Sequence, residues 1–97
     1  MIHHLVFFEL SDTATDADRD AIIDGLRSMK GVVPEIQSYT VGAALPSPNA
    51  SWTIALIGEF ASVDDYKAYS ANPDHQKLVA DVIRPHIKNV TSAQIES

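Results

Sequence analysis

The chain opens on apolar residues that do not alternate cleanly with polar ones. Residues 2–10 (IHHLVFFEL) are short, aromatic and β-branched, which predicts a strand. Ile2, His4, Val6, Phe8 and Leu10 share one side of it, and His3, Leu5, Phe7 and Glu9 share the other. Both sides are largely apolar, so both need cover. In a chain of 97 residues helices can cover only one face of a sheet. The other face asks for a second sheet, most simply from a second copy of the chain.

The period then changes from two to that of a helix. Thr15-x-x-Asp18 resembles a capping box, and Ile22, Leu26, Met29 and Val33 recur at helical spacing, which predicts an amphipathic helix over 15–30. Asp16, Asp18 and Asp20 crowd its positive end; Gly31 is expected to stop it and Pro34 to keep it stopped. Residues 36–45 predict a second strand, 46–49 (Pro-Ser-Pro-Asn) a loop, and 51–60 a central third strand. Ser62-x-x-Asp65 starts a short helix over 62–70 that carries Val63, Tyr66 and Tyr69. Asn72 suits an N-cap and Pro73 a first helical position. Beyond them His75, Leu78, Val79, Val82, Ile83 and His86 form one stripe, predicting a helix over 73–84 that Pro85 ends. Residues 87–96 alternate and predict a last strand, paired inside the sheet. The order β-α-β-β-α-β defines one α+β domain over residues 1–97 of the ferredoxin-like kind. Its four-stranded antiparallel sheet carries helices on one face.

Charge and composition narrow the function. The balance is 13 acidic against 7 basic residues, a net charge of -6, and the basic residues are scattered. Nucleic acid and anionic membrane surfaces demand concentrated positive charge, so neither is an expected partner. The absence of cysteine excludes disulfides and thiolate chemistry. No basic leader and no stretch of membrane-spanning length is present, so the expected setting is the cytoplasm.

The four histidines are the candidate acid–base groups near neutral pH. His75 lies on the apolar stripe and near a helix N-terminus, where burial and the dipole disfavour imidazolium and leave the neutral form a general base requires. Tyr69 lies six residues earlier, and the Asn72-Pro73 break allows the two to meet. His4, sharing a strand face with Val6 and Phe8, would border the same cavity. A phenol donating to a carbonyl oxygen, beside a base that removes a proton from carbon, suits enolisation or aldol chemistry. Buried His and Tyr side chains that only bond each other or the backbone leave the same traces, so a structural role stays open. His3 and His86 read as surface or interface residues. His3 and His4 point to opposite faces and cannot chelate one ion together; no metal and no cofactor is expected.

The opening Ile2-His3-His4-Leu5-Val6-Phe7-Phe8, the acid-rich helix and Val41-Gly42 carry a resemblance. So does the run Phe60-x-Ser62…Tyr69-x-x-x-Pro73-x-His75, and together they resemble the stress-responsive α/β-barrel (Dabb) family over nearly the whole chain. The resemblance implies a dimeric α+β barrel, two four-stranded sheets packed face to face with helices outside. It also implies a pocket between each sheet and its helices, here lined by His4, Val6, Phe8, Ile54 and Leu78. Similar plant members act as polyketide cyclases through an aldol-type reaction, using the Tyr and His that match Tyr69 and His75. This chain departs from them at Ile54, where those cyclases carry a further histidine, and at Gln94, where they carry an acidic residue. The expected function is therefore a homodimer with a small apolar pocket, stress-related or small-molecule-binding, for a carbonyl-containing ligand. The alternative is a cofactor-free, polyketide-cyclase-like or lyase-type enzyme using Tyr69 and His75. A monooxygenase of the heme-degrading or quinol type follows from fold analogy alone and ranks last.

Overall fold

A computed structural model describes residues 1–46, 48 and 51–97; the loop expected over 46–49 therefore lies partly outside the described residues, at Ser47 and Asn49. The chain runs β1 (Ile2–Leu10), α1 (Asp16–Val32), β2 (Ser38–Ala43), β3 (Ile54–Phe60), α2 (Val63–Ala71), α3 (Pro73–Leu78) and β4 (Ile87–Glu96). A π-helical turn over Val79–Ile83 and a 3-10 turn over Arg84–His86 join α3 to β4. The four strands form one antiparallel sheet in the order β2-β3-β1-β4. This is the ferredoxin-like arrangement that the alternating pattern predicts.

Local chemistry explains the helix ends. Thr15 Oγ1 accepts the Asp18 N–H at 3.1 Å, and Asp18 Oδ2 accepts the Thr15 N–H at 2.9 Å, so two of the orphan donors at the start of α1 are satisfied reciprocally. The other end differs from expectation. The helix passes through Gly31 and closes when the Val33 N–H reaches the Met29 carbonyl. No glycine in the described chain adopts a positive φ, so Gly31 supplies no left-handed cap, and Pro34 is what forbids continuation.

The second helical layer breaks at Asn72 as predicted, but the predicted single helix over 73–84 does not form. Pro85 has no N–H to give to the Asp81 carbonyl. The backbone instead widens into a π turn, in which the Arg84 N–H bonds back five residues to Val79. The last strand is also placed differently: β4 lies at the sheet edge beside β1, and residues 88–96 are exposed.

The two sheet faces follow from the pleat. Ile2, His4, Val6 and Phe8 of β1 and Ile54, Leu56 and Phe60 of β3 are buried beneath the helices. Ile22, Ile23 and Leu26 of α1 close over Val6, Phe8, Leu56 and Ile83, while Met29, Val33 and Ile36 pack with Ile2, Phe60 and Tyr69. On the opposite face no helix covers Phe7, Ile57 or Ile95, which are 37%, 45% and 54% exposed.

Candidate functional site

Tyr69, His75 and His4 come together beneath the helices, where they help line a cavity of about 200 Å³. The break at Asn72 makes this possible. Asn72 Oδ1 accepts the N–H groups of Asp74 (2.9 Å) and His75 (3.4 Å), which restarts the helix in a new direction one turn after Tyr69. The imidazole of His75 then lies over the Tyr69 ring, centroids 4.2 Å apart. His4 reaches the same place from β1, 5.8 Å from Tyr69 and 4.9 Å from Tyr66.

The protonation chemistry is set by burial. Burial and the neighbouring His75 hold the His4 imidazole down at about 4, so it is neutral at physiological pH. Its Nδ1 lies 2.8 Å from Gln94 Nε2; with the amide donating, the ring proton sits on Nε2. Burial also lowers the His75 pKa, with a backbone contact to Ser70 pulling the other way. His75 Nδ1 is buried and has no hydrogen-bond partner, which is rare for a buried polar atom.

Tyr69 is 2% exposed, and burial raises its phenol to about 12, while a hydrogen bond from Tyr39 acts to lower it. The Tyr39 and Tyr69 hydroxyls are 2.7 Å apart. Burial and the neighbouring Tyr69 raise the Tyr39 phenol as well. The site is thus a neutral, aromatic-walled cavity bordered by the His75 imidazole and one of a pair of coupled phenols.

Of the pocket residues expected from the sequence, His4, Val6 and Phe8 line this cavity, and Ile54 and Leu78 do not. Ile54 is completely buried in the core. Leu78 turns toward α1, where it fills the notch left by Gly25: a Cβ there would sit 2.6 Å from Leu78 Cδ1. His3 bonds the Ser97 hydroxyl (2.8 Å) on the uncovered face, and His86 lies 3.7 Å from Asp18. Tyr39, Tyr66, Ser70, Val79, Ile83, Val90 and Ser92 were not foreseen in the site. Tyr39 had a readable signal, a phenol sharing a strand face with Val41 and hence in need of a polar partner. It lies opposite Gly58, whose missing side chain makes room for the ring. Val90 and Ser92 enter through the strand register, opposite Phe8 and Val6.

The fold and this sheet–helix cavity define a class of α+β sandwich domains, and comparison with known proteins narrows it. The chain belongs to the stress responsive A/B barrel (Dabb) family, whose model matches residues 2–97. It is 25% identical over 85 residues to a stress-response A/B barrel domain-containing protein of Arabidopsis thaliana, spanning 88% of this chain but 32% of that one. A dimeric ferredoxin-like protein from Thermobifida fusca superposes with a TM-score of 0.88 at 26% identity, over 99% of this chain and 90% of that one. A hydroxynitrile lyase from Passiflora edulis superposes with a TM-score of 0.85 at 18% identity, over 97% and 90% of the two chains. No helix of the described residues is long and apolar enough to cross a membrane.

Proposed function

We propose that the chain acts as a homodimer in which each sheet–helix cavity takes one small, largely apolar, carbonyl-bearing molecule, and that His75 removes a proton from it without a cofactor. The observation that carries this reading is the His75 imidazole at the wall of the cavity, its centroid 4.2 Å from that of the Tyr69 ring. In the proposed step the C–H electron pair moves toward the carbonyl as His75 takes the proton. Oxygen gains the charge, and the Tyr69 O–H donates to it. Tyr39, donating to the Tyr69 oxygen, leaves that proton free for the ligand. The fold shared with a hydroxynitrile lyase is compatible with such proton transfer.

Pairing of two chains rests on the uncovered apolar face and on dimeric structural neighbours. Sedimentation at micromolar concentration tests it; a stable monomer would remove this part. A cytoplasmic location belongs to the same proposal.

A second reading, a stress-related binding domain without turnover, is favoured by the short bond that commits the Tyr69 hydroxyl to Tyr39. It is also favoured by a cavity smaller than the roughly 300 Å³ at which ligand pockets usually begin. Deuterium exchange at the α-carbon of short ketones separates the two. Exchange with the native protein that is lost in His75→Ala, with the fold intact, supports the acid–base site. No exchange above buffer, or exchange unchanged in His75→Ala, leaves the binding domain.

A further inference from the structure

The cavity at His75 does not end in a closed wall. Phe8, Val79, Ile83 and Val90 line it and also line a neighbouring apolar groove of about 380 Å³. Ser70, His75 and Val79 line both the cavity and a second groove of about 330 Å³. One charged side chain is shared by the two grooves, that of Arg84. Among the described residues no carboxylate lies within ion-pair distance of it, although the chain as a whole is acidic.

Arg84 stands there because of the π turn. On an α-helix, nine residues from His75 carry the chain through about 900°, which would leave Arg84 about half a turn away, on the solvent side. The wider turn over Val79–Ile83 lags by about a quarter turn and swings Arg84 back toward the face that carries His75 and Val79. A π turn that places a cation at the rim of a neutral cavity accords with the frequent occurrence of such turns at functional sites.

We infer that the molecule taken by this site is an oxo acid. Its carbonyl end lies against His75 and Tyr69, its apolar chain in the groove of Phe8, Ile83 and Val90, and its carboxylate on the Arg84 guanidinium. This rests on the proposed function for the carbonyl end and adds the anionic end. Guanidinium matches carboxylate with two parallel N–H donors, and the neutral histidines leave Arg84 as the charge that orients the ligand. His75 and Arg84 line one groove together, so a single ligand can reach both.

The test compares 7-oxooctanoate with 7-oxooctanamide, equal in length and differing in charge. Affinity is read from amide and imidazole resonances of the full chain. The expected result is binding of 7-oxooctanoate about tenfold tighter than 7-oxooctanamide, with shifts at His4 and His75, and loss of that preference in Arg84→Gln. Arg84→Lys should keep part of the preference. Equal affinity for the two compounds in the native protein, with shifts at His4 and His75, overturns the carboxylate assignment and leaves the cavity reading intact. A preference undiminished in Arg84→Gln does the same. Absence of any shift at His4 or His75 with either compound overturns both. The comparison in the native protein stands whether or not a variant folds.

Discussion

His3 and His4 are adjacent on β1 and live in opposite worlds. His4 faces the helices, is 6% exposed, stacks on tyrosines and is held neutral. His3 faces the other way, half-buried, and bonds the hydroxyl of Ser97. The two sheet faces differ in the same manner. Both are apolar, but the helix-covered face mixes Tyr39, Tyr69, His4 and His75 into its packing, whereas the uncovered face around Leu5, Phe7 and Ile57 offers plain apolar surface. Polar groups buried on the first face need specific partners, and this makes it selective. The second face can be satisfied by any complementary apolar surface, which suits pairing rather than chemistry.

The largest expected effect that tests this contrast is in the core of the covered face. Leu56→Ala should destabilise the chain by about 3 kcal/mol in urea unfolding, because Leu56 is 1% exposed and the space it leaves cannot collapse. A loss below about 1 kcal/mol would mean that the face is far looser than its burial indicates. Acid comes next. His4 titrates at about 4 when folded and near 6.5 when unfolded, so between these values the unfolded chain binds more protons. Stability should be full above about pH 6.5 and fall toward pH 4, with the His4 part on the order of 2 kcal/mol. In His4→Gln that portion of the slope should vanish; an unchanged profile would place the acid sensitivity elsewhere.

Tyr39→Phe should cost about 1 kcal/mol, the worth of one hydrogen bond, and should push the Tyr69 phenol further up in ultraviolet titration. A phenol that moves down instead would contradict the direction of that bond's influence. Smallest of all is His3→Ala, expected within about 0.5 kcal/mol in the same unfolding assay, as for most surface changes. A cost as large as that of Leu56→Ala would erase the distinction between the faces.

The element order and the pairing of Tyr69 with His75 were legible in the sequence because each rests on local chemistry. The Thr15 capping box, the Asn72-Pro73 restart and the period of the first strand act within a few residues. Other features were hidden because they arise from tertiary competition. Gly31 is a strong stop signal, but it was overridden where Val33 could close the helix and Pro34 could not extend it. Leu78 lies on the predicted stripe, yet the gap over Gly25 captured it. The coupling of Tyr39 to Tyr69 joins residues thirty apart and required the strand register, although the need of Tyr39 for a partner was visible. The π turn required knowing how the backbone would answer the missing N–H of Pro85.

That turn has a consequence for how the chain tolerates change in length. Between the same two ends, Val79–Ile83 spends one more residue per revolution than an α-helix does. Deleting one residue there would restore α-helical winding between the same two ends, leaving the sheet in place and changing which side chains of the turn face the cavity. Relatives that differ by a single codon in this stretch would present a different residue at the cavity rim on an unchanged scaffold. Insertion and deletion, rather than substitution alone, can thus change which side chain borders the cavity.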